Sequence, residues 1–265
     1  MKFQLKTLVA AVALIGATGS AFAAVPNVDA ATGSALLFYV FDDVTKSSYV
    51  QDLGKTYASF LPASATADQT FGISSHTASW NAYLASVSGN LGHSTWGVFA
   101  GNSVAANNGG KGFLTTMRDG DSSAAQTSSS AQSSVAGFFK TWIAAVNTQN
   151  TNSGTSLSDG YFTDIQGTNS QNIVNGVAHD GGAKLKFKTD NFVGTDSVFH
   201  RLALGTTVTD TSYANVNGVS KFSFDGNNLK YTVAVAAIPE PSSYAMMLAG
   251  LMLVAGVARR RHLNK

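Results

Sequence analysis

Several stretches of this chain alternate apolar and polar residues with period two. Each predicts a strand with one buried face. In residues 183–188 (AKLKFK), Leu185 and Phe187 take one side and Lys184, Lys186 and Lys188 the other. Residues 221–224 (KFSF) and 229–235 (LKYTVAV) flank Asp225-Gly226-Asn227-Asn228. Gly and Asn accept the positive φ of a tight turn, so this pair predicts a hairpin. Residues 35–41 (ALLFYVF) are apolar throughout and predict a strand buried on both faces. Residues 96–100, 197–204 and 71–74 are further strand candidates.

Helical spacing is rarer. Between 130 and 147, Val135, Phe138, Phe139, Trp142, Ile143 and Val146 recur at steps of three and four. That apolar face predicts a helix laid on a sheet. A membrane-surface helix would want Lys or Arg on its polar face, and Lys140 is the only one there. Residues 79–87 predict a shorter helix. Residues 101–112, 119–130 and 147–160 read as loops, the second of low complexity. Together these elements predict a mainly β fold: one sandwich-like antiparallel domain over 24–237, with one or two short helices.

The two ends follow a different pattern. Lys2 and Lys6 precede an apolar run at 8–15 (LVAAVALI), and Ala21-Phe22-Ala23 has the small-x-small form of a signal-peptidase site. Residues 1–23 are therefore predicted to be a signal peptide, with the mature chain starting at Ala24. Near the other end, Pro239-Glu240-Pro241 is followed by an uncharged run at 244–258 (YAMMLAGLMLVAGVA), then Arg259, Arg260 and Arg261. Fifteen helical residues span roughly 23 Å at ~1.5 Å rise each, short of a ~30 Å hydrocarbon core. Flanking Ser242 and Ser243 and snorkelling arginines close the difference. The arginines act as a transmembrane stop and stay cytoplasmic by the positive-inside rule, which leaves the body outside. Two prolines so close exclude helix and central strand, so the box is expected to be extended and exposed.

The set of Pro-Glu-Pro box, short span and basic end over 238–265 resembles the PEP-CTERM sorting signal of Gram-negative bacteria. That resemblance implies recognition by an exosortase, a membrane-embedded cysteine protease or transpeptidase. Such an enzyme would cut near the box and pass the body to the cell surface or the polysaccharide matrix.

Charge sharpens the picture. The chain carries +2 overall, yet six of its 17 Lys and Arg lie in the two end segments. The body keeps 11 of them against 14 Asp, a net of −3. The basicity thus belongs to membrane-flanking segments, and nucleic acid is excluded as a partner. Charged residues are only 12% of the chain, while 44% are hydrophobic. This describes a real core under a neutral, hydroxyl- and amide-rich surface. Cysteine is absent, which excludes disulfides, a Cys nucleophile and thiolate metal sites.

Catalytic signatures are missing from the sequence. There is no G-x-S-x-G elbow, H-E-x-x-H or Walker A motif, and no body Glu to pair with an Asp. His76, His93, His179 and His200 lack metal-ligand spacing. No catalytic residue is assigned, and no cofactor is expected unless calcium binds. The calcium candidates are Asp119, Asp121 and Asp225, then Asp42-Asp43, although Asp-Gly and Asn-Gly steps are also ordinary turn formers. Trp80, Trp96 and Trp142 are candidate sugar platforms, with core packing the default. The expected function is a non-enzymatic structural or adhesive component of the matrix or biofilm. Its partners would be signal peptidase, exosortase, transiently the inner membrane, and extracellular polysaccharide. The alternative is a secreted Asp-dependent hydrolase or carbohydrate-binding module.

Overall fold

The computed structural model describes residues 24–73, 77–106, 109–118, 121, 140, 143, 144, 147, 159–163, 189–205, 208–215, 217–234 and 246–252. In chain order its strands are β1 (Ala35–Asp42), β2 (Ser47–Thr56), β3 (Gln69–Gly72), β4 (Ser94–Asn102), β5 (Gly112–Thr116) and β6 (Asp159–Thr163). They continue as β7 (Asn191–Phe192), β8 (Asp196–Leu204), β9 (Val208–Ser212), β10 (Ala214–Asn215), β11 (Gly218–Val219), β12 (Lys221–Phe224) and β13 (Asn228–Thr232). Helix α1 (Thr77–Ser86) lies between β3 and β4.

All eight residues of β1 are buried, as its unbroken apolar run predicts. Such a strand must lie inside a sheet covered on both faces. It is antiparallel to β2 on one side and β4 on the other. Leu36, Phe38 and Val40 enter one apolar cluster; Leu37, Tyr39 and Phe41 enter another. At roughly 1.5–3 kcal/mol per buried large side chain, this strand is a major source of stability.

One connected sheet runs β3-β13-β12-β8-β5-β4-β1-β2-β6, with β7 added to β4 and β9 to β8. The mainly β, antiparallel expectation holds, but among the described residues no second large sheet faces the first, so the sandwich-like part of it takes the form of one curled sheet. Strands β12 and β1 are four steps apart on this path. In a flat sheet they would be separated by about 19 Å, at ~4.8 Å per step. Yet the rings of Phe38 and Phe224 meet edge-on at 4.8 Å, and Trp96 lies 6.3 Å from Phe224. The sheet therefore curls until its own strands face one another. Branching helps: β12 pairs with Ser197 and Val198 of β8, while β9 takes residues 200–204 further along the same strand.

The enclosed side is aromatic. Phe60, in the turn Ala58–Phe60, has ring contacts with Phe199, Tyr213, Phe222 and Tyr231 at 5.0–6.2 Å. Helix α1 adds Trp80 and Tyr83, three residues apart, with Trp80 5.1 Å from Tyr49. The helix ends where Ser88 and Gly89 turn to positive φ and the Gly89 amide returns to the Leu84 carbonyl at 2.8 Å.

The convex face is covered by pieces distant in sequence. Val25, Val28 and Ile143 are buried there with Leu37, Phe99 and Phe113. Residues 140, 143, 144 and 147 are helical, which agrees with a sheet-packed helix over 130–147; the rest of that range, Trp142 included, lies outside the described residues. Asn147 fixes it to the N-terminal segment by accepting from the Val25 amide at 2.7 Å and donating to the Val25 carbonyl at 3.3 Å. Gly97 lies opposite Tyr39 in the β1–β4 register. A Cβ there would meet the tyrosine hydroxyl at 2.2 Å, so only glycine lets the ring lie across β4.

The hairpin predicted over 221–235 forms between Lys221–Phe224 and Asn228–Thr232, with Phe224 opposite Leu229 and Gly226 at φ 96°; Val235 lies outside the described residues. The predicted strand over 183–188 lies outside the described residues.

Candidate functional site: the C-terminal exit and the polar ties of the body

The body ends in an ordered way. Strand β13 pairs with β3 from Asn228 opposite Gly72 to Tyr231 opposite Gln69. Beyond that pair the Asp68 carboxylate extends the ladder, accepting from the Val233 amide at 2.7 Å. The Asn215 side-chain amide donates to the Ala234 carbonyl at 2.7 Å. Asn215 is itself oriented by the Asn217 amide, which donates to its Oδ1 at 2.8 Å. Ala234 is thus tied to the fold as the last described residue of the body.

Of the predicted sorting segment, residues 246–252 are described. They are helical, and Met246, Met247, Leu248, Leu251 and Met252 are all exposed. Among the described residues no helix is long and apolar enough to cross a membrane. The box Pro239, Glu240 and Pro241, the arginines 259–261, and Ala21 and Ala23 of the signal cleavage site lie outside the described residues. Ala24, the expected first residue of the mature chain, is exposed, and Val25 beside it is buried.

The body brings together residues that their sequence spacing did not connect. Arg118 and Asp190 form an ion pair at 2.6 Å with the Asp190 carboxylate fully buried, and Arg118 Nε also donates to the Asp190 carbonyl at 3.0 Å. The guanidinium lies 5.1 Å from the centre of the Phe192 ring. Next to them the Tyr39 hydroxyl is 3.1 Å from Thr189 Oγ1, and Thr116 Oγ1 donates to the Thr189 carbonyl at 2.6 Å. Burial, and then the nearby Asp190 charge, hold the Tyr39 hydroxyl protonated far above its ordinary range. This constellation fixes Thr189 and Asp190 beside Tyr39, where they lead into β7 on the border of β4.

A second pair joins His200 Nδ1 to Asp210 Oδ1 at 2.9 Å across β8 and β9. Asp52 on β2 is a third feature. Burial raises its carboxyl to about 6, against the lowering effect of the Gly54 amide bonded to it at 2.8 Å.

Two of the predicted calcium candidates, Asp225 and Asp42, cap turns with their carboxylates. Asp225 Oδ1 accepts from the amides of Asn227 and Asn228 at 2.9 and 2.7 Å, which holds its carboxyl below the usual range. Asp42 Oδ1 accepts from the Val44 and Thr45 amides at 3.1 and 2.8 Å. The Asp121 amide returns to the Arg118 carbonyl at 3.0 Å, and Asp119 lies outside the described residues. Among the described residues no three His, Asp or Glu side chains converge to hold a metal. Trp80 and Trp96 are buried in the aromatic core, so neither offers a sugar platform. His93 is exposed, while His76 and His179 lie outside the described residues.

Comparison with protein families identifies a PEP-CTERM protein-sorting motif at residues 237–261. Comparison with curated proteins and with solved structures gives no match. The motif marks an exported chain processed by an exosortase after transient membrane anchoring. It begins three residues after Ala234, the last described residue of the body.

Proposed function

We propose that this chain is an exosortase substrate whose released body is a structural or adhesive component of the extracellular polysaccharide matrix. The observation that carries the reading is the sorting motif at 237–261, placed directly after a folded β body. The topology follows: a cleaved signal at Ala23–Ala24, a temporary anchor over 244–258, and a stop at Arg259–Arg261. The anchor is removed near Pro239-Glu240-Pro241.

What the body presents to solvent also fits. Charge is sparse, the apolar residues fill both faces of the sheet, and exposed strands such as β9 (VTDTS) display hydroxyls suited to hydrogen bonding with polysaccharide. A hydrolase acting through aspartates would need two carboxylates set around one bond. The three buried ones among the described residues lie otherwise: Asp190 is ion-paired to Arg118, Asp52 bonds the Gly54 amide, and Asp42 accepts from the Val44 and Thr45 amides.

Mass spectrometry of the extracellular protein tests the sorting step. The parent chain is expected to lack peptides beyond Tyr244, and the Glu240→Ala chain to stay in the membrane fraction with its tail. Recovery of intact tail peptides from the medium would overturn the reading. The matrix role is tested by co-sedimentation of the released body with polysaccharide isolated from the producing cells; failure to co-sediment counts against it.

A further inference from the structure

Strands β8, β12 and β13 lie side by side, and their register sets Ser223 opposite Asp196 and Lys221 opposite Thr232. Directly opposed residues share a face of the sheet. Phe222 and Tyr231, opposite each other one step along, are buried in the aromatic core, so the four polar residues face outward. The hairpin of β10 and β11 closes one side of this outer face. It is held by the Asn215 side-chain amide on the Ala234 carbonyl at 2.7 Å and by the Ser220 amide on the Tyr213 carbonyl at 2.6 Å. Gly218 lies so near Ala234 that an added Cβ would sit 3.5 Å from the alanine Cβ. The result is a cleft of about 160 Å³, lined by the polar Asp196, Lys221, Ser223 and Thr232 and the apolar Val219 and Val233. That is far above the ~10–15 Å³ a single water needs, and on the scale of one sugar ring.

The lining decides what fits. Asp196 and Lys221 stand 3.7 Å apart with side chains 58% and 49% exposed. An ion pair this long and this wet adds little to stability, so both groups are free to turn to a ligand. Their charges cancel: an entering anion meets Asp196, and an entering cation meets Lys221. A neutral ligand that donates to the carboxylate and accepts from the ammonium satisfies both. Adjacent hydroxyls of a sugar ring do this from neighbouring carbons, and the C–H face of the ring suits Val219 and Val233. We propose that this cleft is a polysaccharide contact of the body. It seats one uncharged sugar unit whose adjacent hydroxyls bridge Asp196 and Lys221, while Ser223 and Thr232 bond its rim. The proposal rests on the reading that the body belongs to the polysaccharide matrix.

The test uses the full-length chain, purified in detergent from a host without exosortase, so the outcome is independent of cleavage. The probes are the extracellular polysaccharide of the producing cells, split by anion exchange into a neutral and an acidic fraction, each coupled to beads. The readout is the protein concentration at half-saturation. The parent is expected to bind the neutral fraction the more tightly. Asp196→Ala and Lys221→Ala are each expected to weaken that binding about tenfold, the weight of one charge-assisted hydrogen bond. Asp196→Ala also leaves the ammonium alone, and is expected to bind the acidic fraction more tightly than the parent does. Ser223→Trp fills the cleft and is expected to abolish binding to the neutral fraction.

Neutral-fraction binding that survives all three substitutions would overturn the proposal and leave the matrix role to another surface. A parent that prefers the acidic fraction would overturn it too. The melting midpoint of each chain reports whether it is folded; if Ser223→Trp unfolds, the two alanine chains decide. A parent that binds neither fraction fails the matrix reading itself, and the cleft proposal falls with it.

Discussion

The two faces of the curled sheet are built on different principles. The enclosed face is filled by rings from β1, β4, β8, β12, β13 and the turn at Phe60, and its order is geometric. The convex face is closed by segments remote in sequence and held by polar ties: Asn147 to Val25, Arg118 to Asp190, Thr116 to Thr189. Apolar rings tolerate small adjustments of their neighbours, whereas a buried charge pair tolerates the loss of neither partner. The two faces should therefore fail differently.

Phe60→Ala attacks the enclosed face where several rings converge. It should cost about 4 kcal/mol, read from chemical denaturation of the released body. A loss under about 1 kcal/mol would show that the ring cluster is loosely packed. Asp190→Ala attacks the convex face and leaves the Arg118 guanidinium without its carboxylate. The expected loss is about 3 kcal/mol, while the double change of Arg118→Met with Asp190→Ala should recover part of it. Equal losses in the single and double chains would count against a role for the ion pair.

Asp52→Asn should act in the opposite direction. The carboxyl titrates at about 6 in the fold against an ordinary 3.8, so the folded chain keeps its proton longer than the unfolded one. Stability therefore falls as pH rises from about 4 to about 6 and is level above. The amide keeps an acceptor for Gly54 and carries no charge. It should stabilise the body by about 2 kcal/mol at pH 7 and flatten that slope. A parent chain whose melting midpoint does not change between pH 4 and pH 6.5 would refute the assignment.

The sequence made the two faces unequally legible. Strand β1, the 221–235 hairpin and helix α1 could be read locally, because their burial follows residue by residue from apolar spacing. The sorting motif was legible for the same reason: its three parts are contiguous. Strand β2 escaped, because Ser47, Ser48, Gln51 and Asp52 are buried there and mask the alternation of Tyr49, Val50 and Leu53. Arg118 with Asp190, His200 with Asp210 and Asp68 with Val233 escaped because strand order sets their proximity, and no local pattern encodes it. The curl itself was missed for a related reason. Alternation says that a face is covered, and is silent on whether a second sheet or the same one covers it.

Among the described residues, strand β3 has β13 as its only partner on the sheet path, and the two are separated by most of the chain. Export threads the polypeptide from its N-terminus. Residues 69–72 therefore reach the far side of the membrane long before residues 228–232 arrive to complete the ladder, so one border of the sheet stays unsealed through nearly the whole passage. The seal closes just before the sorting motif at 237–261 follows the body. The membrane pause thus coincides with the moment at which folding can finish, and the temporary anchor gives the slowest, most non-local pairing time to form before the body is let go.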